Sequence, residues 1–451
     1  MTKERGASDR KATTKGTEDA NGGGTLTWLR ELVRRVTTPL VRMLARSRGR
    51  LPGWANGALD WIRWRLPQSW VDTLTGRRTG RKTDWEYRGV HDRPEVPDTP
   101  KRLFIGPANF AGQGFAWARA VEAAMPDVGA ICFALQLEGG FDFPDDFHVP
   151  PLVYRRNRRW QKGQLGYLTA FTHVIIEAGR PLVADLLHLD PFREAQALSG
   201  VGAKVAFLSH GSDTRIPSHH AERFAWSPYR DRDWAEVPRL ERQARHLVER
   251  LGTFTGDVFV STPDLLDDLP SATWCPVVVD PARWRSAAPP LERRRPVVVH
   301  APSNSRVKGS DLVDAALGPL HDSGVIEYRR VGRVPAEVMP GLYREADVVL
   351  DQFRLGSYGV AACEAMAAGR VVVGNVTDAV RERVQAATGL ALPVVQAEPD
   401  EITDVVLRLL DERDLGRASA AAGVAFVERV HSGPFAAEAL RGFLAGGDRN
   451  E

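Results

Sequence analysis

Two short apolar runs, residues 348–350 and 371–373, bracket a loop that holds Gly356, Ser357 and Gly359 and an Ala-rich stretch from 360 to 368 that ends at Gly369. Each run has the length of a buried strand, and the stretch between them has no breaker, so it should be a short helix closed by its glycine. The glycines let the loop backbone approach a ligand closely. The helix behind it aims unpaired N–H groups and roughly half a positive charge at whatever sits there, which suits a phosphate. Glu364, on the first turns of that helix, is near enough to accept hydrogen bonds from a sugar hydroxyl of the same ligand. The unit is therefore expected to bind a nucleotide, with the diphosphate over Gly356, Ser357, Tyr358 and Gly359 and the ribose at Glu364.

The run from Ala346-Asp347 through Gly359-Val360-Ala361-Ala362-Cys363-Glu364-Ala365-Met366-Ala367-Ala368-Gly369 resembles the donor-binding motif of retaining, GT-B-fold glycosyltransferases of the family 4, or group 1, type. There, two glutamates eight positions apart flank a glycine-aromatic-glycine loop. Glu364 falls on the second, which holds the nucleotide ribose in that family. Gly356 falls on the first, whose family role is contact with hydroxyls of the transferred hexose, so this chain is a variant without that carboxylate. The resemblance implies an intact nucleotide site and an altered sugar side. Asp351 and Gln352 lie just upstream, and Asp351 is the candidate catalytic carboxylate that could reach the same pocket from the strand end.

At 451 residues the chain has room for two or three domains of ~100–200 residues each. The net charge of +3 hides an asymmetry: residues 1–82 carry 18 Lys and Arg against 7 Asp and Glu, and the remainder is net acidic. Residues 1–25 read as a disordered tail. Residues 26–95 read as a basic helical extension, in which Leu26, Leu29, Val33, Val36, Leu40 and Met43 recur at helical spacing between arginines, and half of the 12 tryptophans precede residue 86. Arginine on one face with Trp and Leu on the other suits an anionic membrane surface, reached through residues 26–82. The competing reading packs these helices on the body or on a second subunit. No nucleic-acid module accompanies the charge, so nucleic acid is not an expected partner. Three scattered cysteines, no signal-peptide core and no long apolar run point to a cytoplasmic protein, with the inner face of the plasma membrane as its other address.

Between residues 100 and 283, strand-like runs at 103–105, 131–134, 174–176, 205–208 and 258–260 alternate with helical patterns such as 181–187 and 240–251. That alternation argues for a parallel sheet covered on both sides, whose ligands bind beyond the carboxyl ends of its strands. Gly112 and Gly114 are placed to bring backbone amides to the acceptor side of such a cleft. His210-Gly211-Ser212-Asp213 follows a strand directly and resembles the family's turn whose histidine faces the sugar; His210 and Asp213 are the candidate catalytic pair. His219 and His220 have no metal-ligand spacing, and Asp231-Arg232-Asp233 has no strand before it, so no metal site is expected and that triplet reads as a solvated ion-pair cluster.

Pro289-Pro290 and Arg293 to Arg295 read as an exposed linker, with a domain boundary near 284. The second Rossmann-like domain spans 284–430, and a last amphipathic helix within 431–451 is expected to cross back onto the first. In the resembling enzymes an Arg and a Lys five apart neutralise the departing diphosphate. Lys308 matches the lysine, Ser303 stands at the arginine position, and Arg306 is the candidate to take over that duty. The expected fold is thus α/β, GT-B, with two Rossmann-like domains facing a cleft. The expected activity is transfer of a sugar from a nucleoside-diphosphate donor to a glycan, lipid or small-molecule acceptor, without cofactor or metal, and the resemblance implies retention of the anomeric configuration. A degenerate sugar-nucleotide-binding scaffold and a GT-B epimerase or phosphorylase are the alternatives, and no lysine is placed to hold a pyridoxal cofactor.

Overall fold

The structure, a computed structural model, describes residues 93–135, 143–332 and 334–445. The tail expected over 1–25, the membrane-facing stretch 26–82 and all but the last three residues of the extension 26–95 lie outside them. The described residues belong to one compact unit that begins at residue 86.

The apolar runs become strands because each can bury both of its faces. The first sheet holds seven parallel strands: β1 (Lys101–Gly106), β2 (Val128–Leu135), β3 (Phe147–Val149), β4 (His173–Glu177), β5 (Lys204–Ser209), β6 (Val258–Val260) and β7 (Thr273–Trp274). Their spatial order is β3-β2-β1-β4-β5-β6-β7. The second sheet, also parallel, holds β8 (Val297–His300), β9 (Glu327–Arg330), β10 (Val348–Leu350), β11 (Val371–Gly374) and β12 (Val395–Gln396), ordered β12-β11-β10-β8-β9. Every residue of β8, β10 and β11 is buried, as continuous valine runs covered by helices on both faces require.

In each sheet the strand order reverses at one place, between β1 and β4 in the first and between β8 and β10 in the second. Loops leaving adjacent strands on opposite sides of such a point diverge and leave a crevice. Gly112 and Gly114 follow β1 and Glu177 closes β4, while Lys308 follows β8 and Asp351 follows β10.

One core joins the two sheets, running from Phe207 and Val277 through Trp284 and Tyr343 to Met366. The last described helix, Pro434–Ala445, buries Leu440, Phe443 and Leu444 against Ile105 of β1 and Trp117 of the helix Gln113–Ala124 that covers it. The helix expected over 181–187 is only a 3-10 turn, Ala184–Leu187. The Glu194 carboxylate takes the Leu182 and Val183 N–H groups at 2.5 and 3.1 Å, which bends the backbone away from a helical ladder. All three cysteines are free and buried. Among the described residues, no helix is long and apolar enough to cross a membrane.

Candidate functional site

The second sheet builds its side of the cleft from two strand ends. After β8, the Asn304 side chain caps a single helical turn, Ser305–Lys308, and Gly309 at φ +74° lets the next helix, Ser310–Asp322, start at once. This delivers Lys308 to the end of β10, where its Nζ lies 2.6 Å from Asp351 Oδ1. The two side chains are 12% and 2% exposed. Asp351, expected to reach toward the sugar, is engaged in holding the lysine. Behind them, burial pushes the His300 imidazole down to about 4, so it is neutral. Its Nδ1 then donates to Leu350 O at 2.9 Å and its Nε2 accepts from Ser310 Oγ at 2.9 Å, fastening β8, β10 and the helix start to one another.

Glu364 stands on the helix Val360–Ala367 and is partly open to solvent. Burial pushes its carboxyl up to about 8; Lys308 and Arg283 oppose the shift and Asp351 adds to it. Lys308, Asp351 and Glu364 therefore form one cluster of interacting ionisable groups at the second sheet's switch point.

Gly356 sits at φ +66°, and a Cβ there would lie 2.7 Å from Thr377 Cγ2 and 3.3 Å from Phe224 of the first half. The loop is thus closed at this position by Thr377 of its own half and Phe224 of the opposite one, which leave no room for a side chain. His220, also held neutral by burial, donates from Nε2 to Leu355 O at 3.2 Å and so reinforces that closure. Tyr358 turns its side chain into the core against His431 and Phe426, so the loop offers a ligand backbone at that position.

In the first sheet, His210 and Asp213 are not side by side as a reacting pair. The Asp213 carboxylate accepts the His210 N–H at 3.1 Å and the Gly211 N–H at 2.6 Å, which shapes the turn. The His210 ring instead meets Glu177, its Nε2 lying 2.9 Å from Oε1. Glu177 escaped the sequence reading, although a carboxylate closing an apolar strand was its signal. Gly114 lies beneath it: a Cβ there would stand 3.1 and 3.3 Å from the two carboxylate oxygens. Gly112, at φ +72°, caps the helix Gln113–Ala124 that carries Gly114.

The halves enclose a cavity of about 490 Å³ bordered by His210, Arg215, Trp234, Asn304, Ser357 and Gly359, among others. Ser303 and Tyr358 also border it, whereas Lys308, Asp351 and Glu364 do not. Arg215 is fully compensated by Asp264, whose carboxylate it reaches at 3.0 and 2.5 Å. Arg306 spans the cleft to an ion pair with Asp231, so that aspartate, expected in a solvated cluster, bridges the halves. No group of three or more His, Cys, Asp or Glu suited to a metal ion occurs among the described residues.

Residues 308–412 match the family model described as Glycosyl transferases group 1. No curated protein matches the sequence. Among solved structures, the chain is similar to HepE of Anabaena in complex with UDP-glucose, at 12% identity and a TM-score of 0.50, over 76% of this chain and 99% of that one. It is also similar to sucrose-phosphate synthase from Thermosynechococcus elongatus, at 14% identity and a TM-score of 0.50, over 76% and 97% of the two chains. At these identities the likeness speaks for the fold, two parallel α/β sheets in the GT-B arrangement. The family match speaks for the enzyme class expected from the sequence, a glycosyltransferase.

Proposed function

We propose that the protein moves a sugar from a nucleoside-diphosphate donor, bound by the second half, to an acceptor bound by the first, with retention of configuration and without a metal. The observation that carries the reading is the cluster of Lys308, Asp351 and Glu364 at a parallel-sheet switch point, beside a glycine loop that opens a helix. The chemistry asks for that arrangement. As the diphosphate departs it gains negative charge while the sugar becomes oxocarbenium-like. Lys308, steadied by Asp351, together with the loop amides and the helix dipole, would meet the growing charge. Arg306 would join them once diphosphate displaces Asp231, and Glu364 would grip the ribose. HepE is seen with UDP-glucose, which makes uridine diphosphate sugars the first donors to try. The acceptor is a glycan or a lipid-linked saccharide, and residues 26–82 would hold the enzyme at an anionic membrane surface when the acceptor is lipid-linked.

The test is a thermal-shift screen over uridine, guanosine and adenosine diphosphate sugars, followed by product analysis. A ligand at about 100 times its Kd should stabilise the fold by about 2.7 kcal/mol. Stabilisation, donor hydrolysis and loss of both in Lys308→Ala are expected; no response to any nucleotide would end the proposal. The packed Gly356 favours one second reading, a sugar-nucleotide-binding scaffold, for which binding without turnover across the panel is the signature.

A further inference from the structure

We propose that Glu177 is a positioning residue: it fixes the His210 ring with its proton on Nε2 and its lone pair, on Nδ1, turned to the inter-domain cavity, so that the substrate group met there is a hydroxyl or another hydrogen-bond donor. The inference rests on the transfer reaction proposed above and names what the first half contributes to it.

Glu177 closes β4 at the first sheet's switch point with its side chain 0% exposed. Oε2 accepts the Ala108 and Asn109 N–H groups at 3.0 and 2.9 Å, and Oε1 faces His210 Nε2 at 2.9 Å. With both oxygens engaged as acceptors, the shared proton belongs on the ring nitrogen. Aromatic neighbours confine the ring: Phe110 meets it edge-on at 5.2 Å and Trp117 lies tilted against it at 5.4 Å. Asp213 ties its backbone N–H, and Ser261 Oγ donates to its carbonyl at 3.3 Å. The bare Gly114 makes room for the carboxylate. Nδ1 has no hydrogen-bond partner among the described residues, and His210 borders the cavity.

A lone pair at that position suits the reaction. It accepts from a sugar hydroxyl, and it faces growing positive charge on the sugar ring without the repulsion that an N–H would add.

Glu177→Gln reverses the arrangement. The amide oxygen keeps the two backbone donors, its NH₂ then faces Nε2, and the ring proton must move to Nδ1. Long-range ¹⁵N spectra of full-length protein at pH about 8.5, where an ordinary imidazole is neutral, should show His210 as the Nε2–H tautomer, and as Nδ1–H in the variant, with His210→Asn giving the assignment. Turnover should fall by about 100-fold or more in Glu177→Gln while the nucleoside-diphosphate Kd moves less than about threefold. Gly114→Ala, which crowds the carboxylate from the other side, should lose turnover with the same Kd retained and serves if the first variant folds poorly. The same tautomer in both proteins, a doubly protonated ring in the native one, or full turnover in Glu177→Gln would overturn the proposal. Absence of transfer by the native protein with every donor would instead sink the transfer reading, and the tautomer pair would still decide the role of Glu177.

Discussion

Replacing Glu364 with Gln should make the protein more stable and a poorer nucleotide binder at the same time. Burial pushes the Glu364 carboxyl up to about 8 against the pull of Lys308 and Arg283. A glutamate in the unfolded chain titrates near ~4.3. Between those two values the native state keeps a proton that the unfolded state has released, so stability falls as pH rises through the interval and levels off above it. At about 1.4 kcal/mol per unit the full displacement would be worth about 5 kcal/mol. Glu364 is partly open to solvent, and solvent screening brings the expected figure to ~2–3 kcal/mol. Gln carries no such proton, so the stability gap between variant and native protein should widen by that amount from pH ~5 to ~8.5. Glu194 is pushed up to about 8 as well, but it is present in both proteins and cancels. Urea unfolding across the pH series gives the gap, and calorimetry with a nucleoside diphosphate gives the binding. Affinity in Glu364→Gln should drop about tenfold, the scale of one lost charge-assisted hydrogen bond. In the native protein affinity should climb toward pH 8, as the carboxylate that accepts the ribose hydroxyls forms. A gap that stays flat with pH, or unchanged affinity, would refute the reasoning.

Lys308→Ala leaves the Asp351 carboxylate buried without its partner and should cost about 3–5 kcal/mol in chemical denaturation besides removing diphosphate binding. Asp351→Ala should lower both turnover and nucleotide affinity, since Lys308 loses its anchor; affinity retained with turnover lost would return Asp351 to the sugar side. Gly356→Glu, which restores the family's carboxylate, should not raise activity. It should destabilise by about 1–3 kcal/mol, because the residue has positive φ and its Cβ would crowd Thr377 and Phe224; a more active variant would show that the loop can repack.

What the sequence determined by itself is local. The valine runs of β8, β10 and β11 could only be buried strands, the glycine loop and Ala-rich stretch between β10 and β11 could only be a turn and a helix, and Glu364 and Lys308 followed from their places within those units. Periodicity and turn chemistry act within a dozen residues, so a linear reading captures them. What the tertiary structure decided is which strand ends meet. Asp351 finds Lys308 across 43 positions, His210 finds Glu177 across 33, and Arg306 finds Asp231 across 75. Phe224 fills the space above Gly356, and Tyr358 turns inward. None of these has a local signature, because strand order and the closure of one half on the other set them, and both come from burying shared apolar surface.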